Sequence, residues 1–166
     1  VSPNYEPGLD DLLSSGLQNG RLSAHMRAGS ELDDCELAMV CVGTPIGSDG
    51  RSDLSQLRAA LHGLHEILAA DAPLVVRSTL PPGSTRLAVE WAGIPTARVL
   101  SNPEFLRQGT ALEDFLNPTR IVVGHFPDAD PATIARVVSV YDGLDAPVLV
   151  MDVAAAEIAN ERPSTR

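Results

Sequence analysis

The chain has 166 residues, of which 44% are hydrophobic and 20% are charged, and its formal net charge is −10. This length and composition predict a single globular domain with a buried core and exclude a disordered chain. The acidic balance argues against a general nucleic-acid or anionic-membrane surface, because such a field repels polyanions. The sequence shows neither a leader-like segment nor an apolar run of membrane-spanning length. We therefore expect a cytoplasmic protein whose partners include neither nucleic acid nor a membrane.

The chain contains two cysteines, Cys35 and Cys41, without a second pair or a nearby histidine. This spacing predicts no metal site. Cys41 falls inside a predicted buried strand, so two ordinary buried thiols are expected.

The hydrophobic pattern alternates between helical and strand-like segments along the whole chain. Helices are expected at residues 8–20, 30–36, 53–70, 84–93 and 131–141, with a further start at 152. Strands are expected at residues 37–42, 73–78, 97–100, 120–124 and 147–150. The first strand is a continuous apolar run, which is typical of a strand covered on both faces. The pattern therefore predicts the α/β class, with a Rossmann-like parallel sheet and helices on both faces.

The stretch 100–124 is chemically the most informative part of the sequence. A short strand leads into a polar turn, in which Pro103 fixes its own φ and biases Asn102 away from the helical region. Two interpretations of the turn stay open at this point. In one, Asn102 caps the following helix and Glu104 lies in its first turn. In the other, Glu104 is a functional carboxylate aimed by a stiff turn.

Three loops follow predicted parallel strands. Their sequences are Gly43-Thr44-Pro45, Ser78-Thr79-Leu80-Pro81 and Ser101-Asn102-Pro103-Glu104. Because the carboxyl ends of parallel strands lie at one edge of a sheet, the loops are expected to converge on one crevice. Thr44 and Thr79 offer hydroxyls, and Glu104 offers a carboxylate that can take a proton or orient a water. A single threonine is more simply a satisfied turn residue, but three such loops together favour a site.

Four motifs, in this order, resemble the N-terminal domain of the UDP-glucose/GDP-mannose dehydrogenases. They are Val42-Gly43-Thr44-Pro45, Arg77-Ser78-Thr79-Leu80-Pro81-Pro82-Gly83, Ser101-Asn102-Pro103-Glu104-Phe105-Leu106, and Asp114 with Asn117-Pro118-Thr119-Arg120-Ile121-Val122-Val123-Gly124. The resemblance covers nearly all of residues 4–157. It implies an oxidoreductase that oxidises the C6 alcohol of a nucleotide sugar to a carboxylate in two steps, using two NAD.

The resemblance also implies roles for individual residues. Thr79 and Glu104 would be catalytic, with Glu104 as the acid/base group that helps water to attack a covalent thioester. The residues placed along NAD are Val42, Gly43, Thr44, Pro45, Ser78 and Thr79. The residues placed against the nucleotide sugar are Glu104, Phe105, Leu106, Arg107 and Gln108. Gln108 departs from the family pattern, which commonly has an acidic residue there. From the spacing alone, Arg120 is expected to pair with Asp114, away from any ligand.

Other features depart further from the family. The 166 residues contain no glycine-rich turn for the dinucleotide pyrophosphate. Asn160 stands where the family has a catalytic lysine, and neither Cys35 nor Cys41 matches the catalytic cysteine. We therefore expect residues 1–151 to form a partial dinucleotide-binding domain that lacks the first βαβ unit, with residues 152–166 as the start of a connecting helix.

Two functions from different classes follow. The first is a fragment of an NAD-dependent nucleotide-sugar 6-dehydrogenase, acting on UDP-glucose or GDP-mannose and inactive alone. The alternative is a non-catalytic module that acts only by partner binding or complementation. Another Rossmann-type hydroxyacid dehydrogenase is disfavoured, since it has no need of the turn at 102–106. The unpaired edge of the strand ending in Val42 favours a homo-oligomer.

Overall fold

A computed structural model describes residues 5–159 of the chain, which fold around one five-stranded sheet. The strands are β1 (Ala38–Val40), β2 (Leu74–Val76), β3 (Val99–Ser101), β4 (Ile121–His125) and β5 (Val148–Asp152). The helices are α1 (Leu9–Gln18), α2 (Ser55–Leu61), α3 (Ser84–Ala92), α4 (Ala111–Leu116), α5 (Pro131–Val138) and α6 (Val153–Ala159). Short 3-10 turns lie at Ser30–Leu32, Leu64–Glu66, Thr96–Arg98 and Ser139–Tyr141.

The strands lie in chain order across the sheet, and all neighbours except one pair are parallel. β1, β2 and β3 run in one direction, and β4 and β5 run in the other. The predicted α/β class with a largely parallel sheet is confirmed, and the antiparallel β3–β4 pair is the difference. Between these strands the chain forms only the six-residue α4, which covers about 9 Å at 1.5 Å per residue. Such a helix is too short to carry the chain back along the sheet, so β4 starts at the edge where β3 ends.

Helices cover both faces of the sheet, as the sequence predicts. On one face, Leu57 of α2, Ala88 of α3 and Val153 of α6 pack into a common core. On the other face, Val137 of α5 packs with Tyr141 and the buried side chains of β2, β3 and β4. β2 and β3 are buried along their whole length. The central strands thus form a rigid base for the loops that leave them.

Helix α6 is held by a close approach and by a buried carboxylate. A Cβ at Gly124 would lie 2.5 Å from Cβ of Ala156, so only glycine permits this approach of β4 and α6. Glu157 is 4% exposed, and its carboxylate accepts hydrogen bonds from the amides of Gly83 (2.6 Å) and Thr85 (2.8 Å). The first turn of α3 therefore satisfies the charge of Glu157, and α6 is joined to α3.

Three local expectations are wrong. The helix expected at residues 30–36 is reduced to the 3-10 turn at Ser30–Leu32. The helix expected at residues 53–70 ends at Leu61, because Gly63 adopts φ +75° and the chain continues as a 3-10 turn. Cys41 is exposed rather than buried, since β1 forms one edge of the sheet. None of the helices in residues 5–159 has the length and apolar character that crossing a bilayer requires.

Candidate functional site

The carboxyl ends of β1, β2 and β3 lie at one edge of the sheet, and the loops after β1 and β2 are joined there. The Thr44 hydroxyl donates to the carbonyl of Thr79 at 2.8 Å. The Ser78 hydroxyl donates to the carbonyl of Val42 at 2.7 Å. The structure therefore brings together four of the residues that the resemblance places along NAD, and it uses two of their hydroxyls to connect the loops.

The turn after β3 is anchored by the side chain of Asn102, which is 1% exposed. Its Nδ2 donates to the carbonyl of Val122 at 2.8 Å. Its Oδ1 accepts from Nη1 of Arg77 at 2.6 Å and also from the Tyr141 hydroxyl. The backbone amide of Asn102 donates to the carbonyl of Val76 at 2.9 Å. One amide side chain thus connects β4, the residue that follows β2 and the 3-10 turn after α5, and fixes where the turn starts.

These contacts contradict one interpretation of the turn. Asn102 does not cap a helix, and Glu104 does not lie in a first helical turn, because α4 begins only at Ala111. The capping motif is a local pattern, whereas the partners of Asn102 lie 20, 25 and 39 residues away in the chain. The sequence around the turn carried no sign of them.

Arg77 and Tyr141 complete the buried network below the turn. Nη1 of Arg77 also donates to the Tyr141 hydroxyl at 2.8 Å. The guanidinium of Arg77 lies 6.0 Å from the ring centre of Tyr141 and 5.8 Å from that of Phe115. Burial raises the pKa of the Tyr141 phenol, while Arg77 and the bond to Asn102 act in the opposite direction. Tyr141 is therefore a neutral hydroxyl donor near pH 7.

Glu104 lies on the wall of a cavity of about 290 Å³ next to this network. Its side chain is half-buried, and its carboxylate accepts a hydrogen bond from the amide of Leu106 at 2.5 Å. This bond holds the carboxylate in place over its own turn. Of the residues expected to bind a nucleotide sugar, Glu104, Phe105, Leu106 and Arg107 line the cavity. Gln108 is exposed and is not among its walls.

The expected pairing of Arg120 with Asp114 is wrong, since Asp114 binds Arg107. Its carboxylate accepts from the backbone amide of Arg107 at 2.9 Å, from Nε at 3.1 Å and from Nη2 at 2.6 Å. These bonds hold the pKa of the Asp114 carboxyl well below its usual range. The Arg120 guanidinium instead lies 4.5 Å from the ring centre of Phe105.

A second carboxylate fixes the chain just beyond the cavity. Oε1 of Glu6 accepts from the amide of Gly109 at 2.7 Å, and Oε2 accepts from the amide of Ala111 at 3.0 Å. Glu6 therefore caps α4 from the other end of the chain. Sequence reasoning missed this role, because more than a hundred residues separate donor and acceptor and no local pattern joins them.

The residues at the sheet edge fit part of a dinucleotide but not its pyrophosphate. A pyrophosphate binds at the open amino terminus of a helix. In the described structure, Glu157 takes the amides at the start of α3, and Asp53 accepts from the amide of Ser55 at the start of α2. The starts of α2 and α3 thus already hold a carboxylate each. The loops of Thr44 and Thr79 remain as surfaces that could flank a dinucleotide.

A largely parallel sheet with helices on both faces, whose strand-end loops converge at one edge, is typical of the class of Rossmann-like dinucleotide-binding proteins. The chain belongs to the UDP-glucose/GDP-mannose dehydrogenase family, since residues 1–145 match the model of that family's NAD-binding domain.

Relatives agree in sequence and in fold. GDP-mannose 6-dehydrogenase of Pseudomonas savastanoi pv. phaseolicola is 34% identical, over 95% of this chain and 38% of the relative. The structure of a ternary complex of GDP-mannose dehydrogenase from Pseudomonas aeruginosa superposes with a TM-score of 0.81 at 32% identity, covering 96% of this chain and 38% of that one. A UDP-glucose dehydrogenase from Pyrobaculum islandicum gives 0.78 at 38% identity, covering 95% and 38%. The chain thus spans about 38% of the length of these relatives and corresponds to their NAD-binding part.

Proposed function

We propose that this chain supplies the cofactor loops and part of the sugar-nucleotide pocket of an NAD-dependent 6-dehydrogenase. The substrate would be UDP-glucose or GDP-mannose, the compounds that the relatives' names specify. One observation carries the proposal: the Glu104 carboxylate is held at the wall of a cavity whose base is a buried hydrogen-bond network. A carboxylate fixed in this way can accept a proton from water or from an alcohol. NAD, when bound, would supply the hydride acceptor for oxidation of the sugar alcohol.

The proposal gives each group of residues one task. Glu104 is the general acid/base, and Thr79 is the second catalytic residue, at the sheet edge. Val42, Gly43, Thr44, Pro45 and Ser78 flank the dinucleotide together with Thr79. Phe105, Leu106, Arg107 and Gln108 contact the nucleotide sugar, although Gln108 does not line the cavity. Residues 1–151 are assigned to the dinucleotide-binding part and residues 152–166 to the start of a connecting helix, a range within which the structure describes α6. A cytoplasmic location completes the proposal.

We do not expect this chain alone to turn over a nucleotide sugar. A covalent route needs an activated nucleophile such as a thiolate, and the exposed Cys41 is not at the position of the family's catalytic cysteine. Asn160, which stands where the family has a lysine, lies outside the described residues. We therefore expect no absorbance increase at 340 nm when the chain is mixed with NAD and either nucleotide sugar.

Calorimetry tests the binding side of the proposal. UDP-glucose and GDP-mannose should each be titrated into the wild-type chain and into E104A, with NAD as a third titrant. We expect one nucleotide sugar to bind, and E104A to weaken that binding. We expect NAD to bind more weakly than micromolar, because the amides at the starts of α2 and α3 already bind carboxylates. A micromolar NAD dissociation constant, about −8 kcal/mol, would contradict the second expectation. Absence of binding by both nucleotide sugars would contradict the first.

Within residues 5–159 no strand pairs with the outer edge of β1, which favours a second candidate, a module that acts only by partner binding. The side chains of β1 are half-buried, and Ala38, Met39 and Val40 extend both apolar cores to this edge. An unpaired apolar edge invites another strand, so the same feature supports a homo-oligomer. Light scattering across a concentration series distinguishes the candidates, because a binding module would associate while showing no response to nucleotide sugars.

A further inference from the structure

We infer that Arg120 is a phosphate-binding residue, whose guanidinium takes the anionic part of the ligand in the cavity beside Glu104. The inference rests on the proposed function only for the identity of that ligand as a nucleotide sugar. The class of ligand group, a phosphate or diphosphate, follows from the charges and contacts of the cavity itself.

The cavity wall is cationic although the protein is acidic. The charged side chains that line it are Arg77, Glu104, Arg107, Asp114 and Arg120, so three guanidinium groups face two carboxylates. The whole chain carries a net charge of −10. A locally positive cavity in a negative protein is where an anionic ligand finds a favourable field.

Of the three arginines, two are engaged within the fold. Arg107 forms an ion pair with Asp114 at 2.6 Å. Nη1 of Arg77 donates to both Asn102 and Tyr141. These two arginines therefore stabilise the wall of the cavity through bonds to protein groups.

Arg120 differs from both. Within residues 5–159, the ion pairs are Arg107–Asp114 and Arg136–Asp71, so no described carboxylate neutralises Arg120. Its guanidinium lies over the ring of Phe105, 4.5 Å from the ring centre. A guanidinium that stacks on an aromatic ring through its face still has the N–H groups of its edge for a ligand, and their fork matches the oxygens of a phosphate.

The position of Arg120 also fits this role. It directly precedes β4, whose first residue, Ile121, also lines the cavity. Phe105 is the residue after Glu104, so the stack places the cation close to the turn that carries the carboxylate. A phosphate held at Arg120 would leave the neutral sugar end of the ligand to face Glu104.

The test changes the charge and the shape of the side chain at position 120, and a matched charge change at position 58 is the control. Inorganic pyrophosphate, UDP-glucose, GDP-mannose and glucose are titrated at low ionic strength into the wild-type chain, R120Q, R120K and R58Q. Binding is followed by NMR, with the Nε–Hε signal of Arg120 as a direct reporter. Arg58 is exposed on α2, at the opposite face of the sheet, so R58Q makes the same change in net charge away from the cavity. Since Arg120 is exposed, all the variants should unfold at the wild-type denaturant midpoint.

We expect pyrophosphate to shift the Arg120 signal and to bind at least tenfold more weakly to R120Q, because charge-assisted hydrogen bonds are lost. R120K should lose less than R120Q, since it keeps the charge without the fork. R58Q should match the wild type, and the affinity for glucose should not depend on Arg120.

Several results would overturn the inference: no pyrophosphate binding, equal affinity in the wild type and R120Q, or equal losses in R58Q and R120Q. A nucleotide sugar that binds independently of Arg120 would overturn it and leave the proposed function intact. Pyrophosphate binding that depends on Arg120, without any response to nucleotide sugars, would support the inference and contradict the proposed function.

Discussion

The turn after β3 and the loops after β1 and β2 leave the same edge of the sheet but are built differently. Asn102 is buried and makes four hydrogen bonds to three other parts of the chain. Thr79 is exposed, and the loops after β1 and β2 are joined by the two side-chain bonds of Thr44 and Ser78. The turn after β3 is therefore anchored in the core, whereas the loops after β1 and β2 form an exposed rim of the proposed site.

This difference shows how a binding surface gains rigidity. A fully satisfied buried polar network specifies a single geometry, because any rearrangement leaves a polar group unpaired. An exposed loop can exchange its hydrogen bonds with water at little cost. We therefore expect the turn that carries Glu104 to be fixed before ligand binds and the cofactor loops to adapt to it. Four substitutions test the contrast.

The largest effect is expected for N102A. The change removes one hydrogen-bond partner each from Arg77, Tyr141 and the Val122 carbonyl, and Arg77 and Tyr141 keep only the bond between them. We expect a loss of about 3 kcal/mol in the free energy of unfolding, measured by urea denaturation with the slope unchanged. A loss below about 1 kcal/mol would mean that the network is not the anchor of the turn.

An intermediate effect is expected for Y141F. This substitution removes one hydroxyl and keeps the ring that Arg77 stacks on, and Arg77 still occupies Oδ1 of Asn102. We expect a loss of about 1 kcal/mol, measured in the same way. If Y141F were as harmful as N102A, the tyrosine rather than the asparagine would be the centre of the network.

A small effect is expected for T44V, the counterpart of N102A on the rim. The valine keeps the shape and removes the hydroxyl that binds the Thr79 carbonyl, which water can then reach. We expect a change of at most about 0.5 kcal/mol in the free energy of unfolding. A loss as large as that of N102A would abolish the distinction between the anchored turn and the exposed rim.

The smallest effect concerns acid stability at Asp114. The bonds from Arg107 lower the pKa of this carboxyl in the folded state, so the pair contributes stability above the carboxyl's unfolded pKa of about 3.9. That contribution is lost as the pH falls toward the depressed folded pKa. The difference in unfolding midpoint between wild type and D114N should therefore shrink from pH 6 to pH 2. A difference that grows on acidification would show that the pair is not the cause.

The sequence predicted most of the architecture because its strands are strong local signals. Continuous apolar runs around Val75 and Leu100 identify buried strands, and loops rich in glycine and proline mark their ends. The helix break at Gly63 and the reversal of β4 escaped prediction. A single glycine within an amphipathic pattern is usually tolerated, and strand direction depends on the path of the connection rather than on the strand itself.

The loops of the candidate site were predictable from the sequence, but the side-chain contacts that hold them in place were not. Thr44, Thr79 and Glu104 stand at strand ends, where topology alone brings functional groups together. The partners of Asn102, the pairing of Arg107 with Asp114 and the cap that Glu6 provides are set by side-chain packing. Arg120 has a favourable carboxylate near in sequence, yet Arg107 reaches Asp114 with its backbone and side chain at once, which a single ion pair cannot match.

The most direct test of the account is an NMR titration of the labelled chain with the nucleotide sugar that calorimetry identifies. We expect the amide signals of residues 104–107 to shift and saturate together with the Arg120 side-chain signal, while those of residues 42–45 remain in place. Shifts confined to residues 42–45 and 78–79, with the turn after β3 unaffected, would contradict it.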